Sequence, residues 1–170
     1  MVKRFIAHPE YKASGKYHDI GLIETETPIV FSKNVLPACL PMKDESESAV
    51  LNTWRDLKSD KAQLADSIEF INMEKFSNEE CVTKWAAHET TSTFDDSKQL
   101  CYGTRSQADK SCLTFSGEPL LATPKFARCI YSVIGVSSLH PSNCGPEKVI
   151  PNIYTKVSAY VPWIESIVWP

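Results

Sequence analysis

The stretch Ile130-Tyr131-Ser132-Val133-Ile134-Gly135-Val136 is short, apolar and rich in β-branched side chains, a composition typical of a β-strand. Two earlier segments, Ile20–Ile23 and Pro28–Phe31, have the same character. Eleven prolines divide the 170 residues into short pieces around them. Short strands at short spacing predict an all-β architecture.

Two other segments predict helices. Residues 77–87 begin with Ser77, which can cap a helix, and Glu80 follows at the third position after it, which is the capping-box pattern. Between Val157 and Val168, apolar residues recur at intervals of three and four. This periodicity predicts an amphipathic helix at the C-terminal end that docks on the strands.

The composition fits a globular domain with a buried core, because 42% of the residues are hydrophobic and 10% aromatic. The net charge is −3, with both signs mixed and no run of five Lys or Arg, which argues against a nucleic-acid partner. No window approaches eighteen consecutive apolar residues, so we expect no membrane span. The opening residues 1–11 lack the apolar stretch of a secretory signal.

The six cysteines are scattered, without the CxxC pairs that zinc sites use, and no metal or organic cofactor is expected. Such cysteines favour a disulfide framework and an oxidising compartment, and hence a secreted protein whose natural chain extends upstream to include a signal. A cytosolic chain with six free thiols is the alternative. The cysteines are Cys39, Cys81, Cys101, Cys112, Cys129 and Cys144.

The segment Ser116-Gly117-Glu118-Pro119-Leu120 is the strongest candidate for chemistry. A serine in a tight turn can act as a nucleophile if a histidine accepts its proton and backbone N–H groups face the developing oxyanion. Ser-Gly pairs are also common in ordinary turns, so the segment alone does not decide between the two interpretations.

Five further segments accompany this turn in a specific order: His8-Pro9, Asp19–Ile23, Val35–Pro41, Asp109–Cys112 and Pro151–Val157. In this order they resemble the trypsin and chymotrypsin family of serine peptidases over nearly the whole chain. The resemblance implies two antiparallel β-barrels with the active site between them. It further implies that residues 1–41 are the end of the first barrel and that residues 42–170 form the second barrel and the terminal helix.

The resemblance places two members of the catalytic triad. Asp19 stands where the family has the aspartate that orients the catalytic histidine, and Ser116 stands at the nucleophile. The family's histidine motif would precede Met1. The four histidines that the chain contains fall where the family has no general base: His8, His18, His88 and His140.

The residues around the serine depart from the family pattern GDSGGP, which here reads Thr114-Phe115-Ser116-Gly117-Glu118-Pro119. Thr114 replaces a glycine that donates an oxyanion N–H from a conformation that β-branched residues disfavour. Phe115 replaces the aspartate that pairs with the new N-terminal amine after activation cleavage. We therefore expect a misplaced oxyanion donor and no activation by the family's usual switch.

The predicted specificity pocket is also altered. Lys110 stands six residues before the serine, where trypsin-like members have an aspartate; it would repel basic side chains, or it reaches solvent. The pocket wall, usually Ser-Trp-Gly, reads Ser137-Ser138-Leu139, and Asn152 replaces a glycine. Leu139 and Asn152 are expected to narrow the pocket.

The resemblance implies the disulfides Cys81–Cys101 and Cys112–Cys144. It leaves the partners of Cys39 and Cys129 open, and a bond between these two would require Cα atoms within about 7 Å.

These features predict a secreted, non-catalytic peptidase homologue that binds a peptidase, zymogen or inhibitor, similar to the clip-domain serine protease homologues of arthropod immune cascades. One alternative is a serine-type endopeptidase whose catalytic histidine lies in an upstream part of a longer chain. Another is a truncated product without an independent role, whose barrel remnant would expose unpaired strand edges.

Overall fold

The computed structural model describes residues 1–15, 17–41, 46–55, 64–87, 94–105, 115–123, 131–141 and 149–170. The strands within them are β1 Val2–Ala7, β2 Gly21–Thr25, β3 Ser48–Arg55, β4 Leu64–Lys75, β5 Gln99–Gly103, β6 Pro119–Ala122, β7 Ser132–Leu139 and β8 Asn152–Lys156, and the helices are α1 Asn78–Ala86 and α2 Val157–Val168. This mostly β architecture with a C-terminal helix confirms the predicted fold class. Within the described residues, neither helix has the length and apolar character needed to span a membrane.

Six strands close an antiparallel barrel in the order β3-β4-β5-β8-β7-β6. Its interior follows the two-residue period of strands, so that Ala49, Leu51 and Thr53 of β3 are buried in alternation. Leu51 and Leu120 are fully buried and pair across β3 and β6. The interior of the barrel is thus a continuous apolar core.

Helix α1 packs on the outside of β5. Ser77 accepts the backbone N–H of Glu80, and the Glu80 carboxylate accepts the backbone N–H of Ser77, so the predicted capping box is confirmed. Cys81 is joined by a disulfide to Cys101 of β5, the pairing that the resemblance implied. The buried indole of Trp85 donates to a backbone carbonyl before β8. Helix α1 is therefore fixed to two strands.

Strands β1 and β2 form a separate two-stranded sheet beside the barrel. Helix α2, at its predicted bounds, joins this sheet to the barrel, because Val157, Tyr160 and Ile164 pack against Leu22 of β2 and Val133 of β7, among others. The opposite face of the sheet is open. It exposes Phe5 and Ile23, of which 75% and 62% are accessible.

One strand expectation was wrong. Residues 28–31 form no strand; they are exposed and lead into a turn closed by an isolated bridge between Ser32 and Val35. Apolar β-branched residues need a partner strand to form a ladder, and none pairs with this segment among the described residues. The strand predicted at Ile20–Ile23 is present as β2, which begins at Gly21, after His18 adopts a left-handed φ of 59° that interrupts the extended chain.

The remaining cysteines lie mainly outside the described residues. Cys39 is disulfide-bonded, and its backbone N–H donates to the carbonyl of Tyr131, the residue before β7. Cys112, Cys129 and Cys144 lie outside the described residues, and with them the implied Cys112–Cys144 bond. The linker before the barrel is thus tied to β7.

Candidate active site

Asp19 lies just before β2, partly buried, and two groups of the barrel hold it. The hydroxyl of Ser138 donates to Asp19 Oδ2 at 2.7 Å. The hydroxyl of Thr155 donates to the Asp19 backbone carbonyl at 2.8 Å. Because one bond fixes the carboxylate and the other fixes the main chain, Asp19 has a defined position against the barrel.

Ser116 lies in an exposed turn immediately before β6. Gly117 has a φ of 88°, a conformation that residues with a Cβ rarely adopt, and its N–H donates to the Ser137 carbonyl at 2.8 Å. The Ser137 N–H in turn donates to the Glu118 carbonyl at 2.8 Å. The Ser116 hydroxyl makes a long contact of 3.4 Å with the Ser137 carbonyl. The turn is therefore attached to β7 at Ser137.

Consecutive residues of β7 each contact one of the two predicted triad positions. The main chain of Ser137 holds the turn of Ser116, and the side chain of Ser138 holds Asp19. The sequence alone identified Asp19 and Ser116 but not this connection through β7. Its signal was the Ser137-Ser138 pair, which was interpreted only as pocket wall.

The other predicted pocket residues contribute differently. Leu139 packs, partly buried, on the cluster that includes Phe76 and Ile153 rather than standing free. Asn152 is fully buried, and its amide donates to the Tyr154 hydroxyl at 3.3 Å. Lys110 lies outside the described residues. The structure thus describes Leu139 and Asn152 as packed residues of β7 and β8.

Glu118 is the site residue that sequence reasoning missed. It is only 6% exposed, and its carboxylate accepts hydrogen bonds from the Thr53 hydroxyl and from the backbone N–H groups of Trp54 and Phe115, the latter two at 3.3 and 3.1 Å. A buried carboxylate needs such donors to offset its lost hydration. Glu118 therefore ties the start of the serine turn to β3 from inside.

The described histidines point elsewhere. His8 and His18 stack with ring centroids 4.8 Å apart, and His18 Nδ1 lies 3.4 Å from the Tyr160 hydroxyl of α2. Burial, followed by the charge of His18, lowers the pKa of His8. His140 is exposed just after β7. None of these three hydrogen-bonds to Asp19 or Ser116, and His88 lies outside the described residues.

This arrangement limits the chemistry available within the described part of the chain. Serine is a weak nucleophile unless an adjacent base accepts its proton. The contact of the Ser116 hydroxyl is with a carbonyl oxygen, which cannot act as that base. Asp19 and Ser116 therefore form two anchored positions without a general base between them.

The family model described as Trypsin matches residues 1–164. The chain belongs to the trypsin family. This assignment confirms the resemblance that the order of sequence motifs indicated.

Among curated relatives, the trypsin-family chain is 28% identical to serine protease Hayan of Drosophila melanogaster, over 96% of this chain and 26% of the relative. It is also 28% identical to phenoloxidase-activating enzyme of Bombyx mori, over 99% of this chain and 40% of that protein. It is likewise 28% identical to coagulation factor XI of Bos taurus, over 96% of this chain and 25% of that protein. The chain thus spans between a quarter and two-fifths of these relatives.

Among solved structures, this trypsin-family chain is similar to neuropsin, a serine protease expressed in the limbic system of mouse brain. The TM-score is 0.74 at 24% identity, and the match covers 98% of this chain and 70% of neuropsin. This likeness supports the fold assignment.

Proposed function

We propose that this trypsin-family chain is a non-catalytic peptidase homologue that acts by binding a protein partner. The observation that carries the proposal is that no histidine of the described residues hydrogen-bonds to either predicted triad position: Asp19 Oδ2 accepts from Ser138, and the Ser116 hydroxyl lies against the Ser137 carbonyl. The described histidines face α2 or solvent instead. Losing the base of a triad leaves only the residual rate that binding and oxyanion contacts supply.

The serine turn supports the same proposal. In the sequence, Thr114 stands where a family member would have a glycine donor, and Phe115 carries no charge for pairing with an activated N-terminus. The Phe115 N–H is instead bonded to Glu118. Loss of one oxyanion donor removes about 2.7–4 kcal/mol of transition-state stabilisation, so a displaced donor lowers turnover further.

The partner class we propose is a peptidase, zymogen or inhibitor of a proteolytic cascade. The names of two relatives support it, since one is a phenoloxidase-activating enzyme and another a coagulation factor. The Cys81–Cys101 disulfide and the bonded Cys39 support a secreted, extracellular location, because disulfides persist in oxidising compartments. An innate-immune cascade is the setting that we propose.

A division into two parts is also proposed: residues 1–41 belong to a first barrel and residues 42–170 form the second. The separate sheet β1–β2 and the closed barrel support this boundary. The exposed Phe5 and Ile23 give the sheet an apolar face that further strands of a longer chain would cover.

The alternative is a serine-type endopeptidase whose histidine comes from an upstream segment of a longer chain. One observation favours it: Asp19 and Ser116 are both retained and are both attached to adjacent residues of β7. An imidazole placed between them would complete the triad.

A fluorophosphonate probe separates the two functions. The chain, and the longest upstream-extended form after any activation cleavage, are each incubated with the probe beside a Ser116→Ala variant, with active trypsin as the positive control. We expect no labelling that depends on Ser116, while near-ultraviolet circular dichroism reports folded protein. Labelling that disappears in Ser116→Ala would overturn the non-catalytic proposal and establish the endopeptidase.

A further inference from the structure

Three side chains with metal-binding atoms converge at the segment that joins β1 to β2. One ligand atom from each of His8, Glu10 and His18 lies within 4.8 Å of the others. Glu10 Oε2 is 3.9 Å from His18 Nε2. Two imidazoles and one carboxylate form a donor set that Zn²⁺ takes in proteins. The proposed binding function uses none of the three.

The backbone directs these side chains toward one another. The His8 N–H donates to the Ile20 carbonyl at 3.1 Å, and the Tyr11 N–H donates to the His8 carbonyl at 3.0 Å, which closes the turn that carries Glu10. His18 occupies the left-handed region at φ 59°, which is uncommon for residues other than glycine. This conformation places the His18 ring on His8 instead of continuing a strand.

Helix α2 supports both imidazoles from behind. The Tyr160 hydroxyl is 3.4 Å from His18 Nδ1, and the rings of Tyr160 and Trp163 pack on His8 at centroid distances of 5.3 and 4.9 Å. Histidines that bind metals commonly use the second ring nitrogen for such a hydrogen bond. In the tautomer whose Nδ1–H donates to Tyr160, His18 Nε2 carries the lone pair, and Nε2 is the nitrogen that lies 3.9 Å from Glu10 Oε2.

We propose that His8, Glu10 and His18 bind one Zn²⁺ ion, with water or a partner's side chain as the fourth ligand. Tetrahedral zinc with bonds near 2.0–2.1 Å separates its ligand atoms by roughly 3.3 Å, so the three groups must draw closer. The stacked rings of His8 and His18 must also rotate, because a metal ion binds in the plane of each imidazole. The Glu10 side chain, 71% exposed, has the freedom to draw closer. Zinc bound at His8 Nδ1 would replace the 3.2 Å hydrogen bond from the Glu10 N–H to that nitrogen.

Zinc bound here would act on the neighbouring candidate active site. His18 directly precedes Asp19, whose carboxylate and carbonyl are held by the barrel. An ion at His18 fixes the chain on the other side of Asp19 and cross-links the two ends of the segment that joins β1 to β2. Its binding free energy adds to the stability of the fold.

The test uses zinc chloride titrated into the purified chain in a buffer that does not coordinate metals, followed by calorimetry and by the ring nitrogen signals of histidine in ¹H–¹⁵N spectra. We expect one equivalent to bind and the His8 and His18 nitrogens to shift while those of His140 do not. Glu10→Gln and His18→Gln should each weaken binding tenfold or more, and Tyr160→Phe roughly tenfold, as for other residues that orient metal ligands. His140→Gln is the matched control.

Three results would overturn the proposal. The first is a folded chain that takes up no zinc at a concentration on the order of 1 mM, the weak limit of specific affinity. The second is uptake that survives both Glu10→Gln and His18→Gln, and the third is equal loss in His140→Gln. Because His8 is buried and its removal could unfold the segment, the exposed Glu10 carries the test. None of these results depends on whether Ser116 reacts with a probe.

Discussion

Ser138 donates a hydrogen bond of 2.7 Å to Asp19, although the two residues are 119 positions apart in the chain. The bond joins the segment before β2 to β7, and so connects the two-stranded sheet with the barrel. Because the bond is partly buried, removing either partner would leave the other without this hydrogen bond where water reaches it less easily.

A double-mutant cycle measures this bond. Ser138→Ala, Asp19→Ala and the double variant are unfolded in urea, and we expect a coupling free energy of about 1–2 kcal/mol, because either single change already removes the hydrogen bond. Additive free energies of unfolding would show that the bond contributes nothing to stability and would weaken the argument that Asp19 is anchored.

Glu118 is expected to contribute more to the free energy of unfolding than an exposed carboxylate does. Glu118→Ala leaves the Thr53 hydroxyl and the backbone N–H groups of Trp54 and Phe115 without this acceptor inside the barrel, so the free energy of unfolding should fall by about 2–4 kcal/mol. Glu118→Gln keeps one acceptor oxygen and should lose less. Glu26→Ala, at an exposed position, is the control and should change stability by no more than about 0.5 kcal/mol. Equal losses of stability in the Glu118 and Glu26 variants would show that the hydrogen bonds to Glu118 do not stabilise the barrel.

The parts of the fold that could be predicted from sequence are those with local causes. The start of α1 depends on Ser77 and Glu80, three residues apart, and the capping box is present. The apolar residues that predict α2, at intervals of three and four, all lie within the helix itself. The segment at residues 28–31 has the composition of a strand but forms none, because a strand depends on a partner elsewhere in the chain.

The same distinction explains the candidate site. Asp19 and Ser116 were predicted from the order of motifs, which a sequence displays directly. Glu118 was missed because its partners Thr53 and Trp54 precede it by 65 and 64 residues. Its only local signal was a carboxylate between a glycine and a proline, two residues after the candidate serine. The proximity of His8 and His18 likewise depends on a backbone conformation that composition does not encode.

The Cys81–Cys101 disulfide should contribute substantially to stability. It closes a segment with a sequence separation of 20 residues, and constraining the unfolded chain over such a loop is worth about 3 kcal/mol. Replacing both cysteines by alanine should lower the midpoint of urea unfolding accordingly. The matched comparison is Ser77→Ala, which removes the cap of the same helix and should lose only about 1 kcal/mol. A double alanine variant no less stable than Ser77→Ala would contradict the expectation.

The stability of the chain should depend on pH through the ion pair between Arg105 and Glu80, which lies in the first turn of α1. Arg105 hydrogen-bonds to both carboxylate oxygens of Glu80, and with the Ser77 N–H it lowers the pKa of Glu80 from 4.5 to about 2. A carboxyl group whose pKa is lower in the folded than in the unfolded state stabilises the fold above its unfolded pKa. This contribution is fully present above about pH 5 and declines as the pH falls toward 2.

Thermal unfolding between pH 7 and 2 tests this sign. Glu80→Gln should flatten the dependence of the melting temperature on pH below about 5, because it removes one group whose proton uptake destabilises the folded state. Glu79→Gln, on the same helical turn, is the control and should retain the steeper dependence. Since Glu80 is exposed, the difference should shrink at high salt, where ion pairs are screened. Identical pH profiles for the Glu80 and Glu79 variants would show that the ion pair between Arg105 and Glu80 does not stabilise the fold.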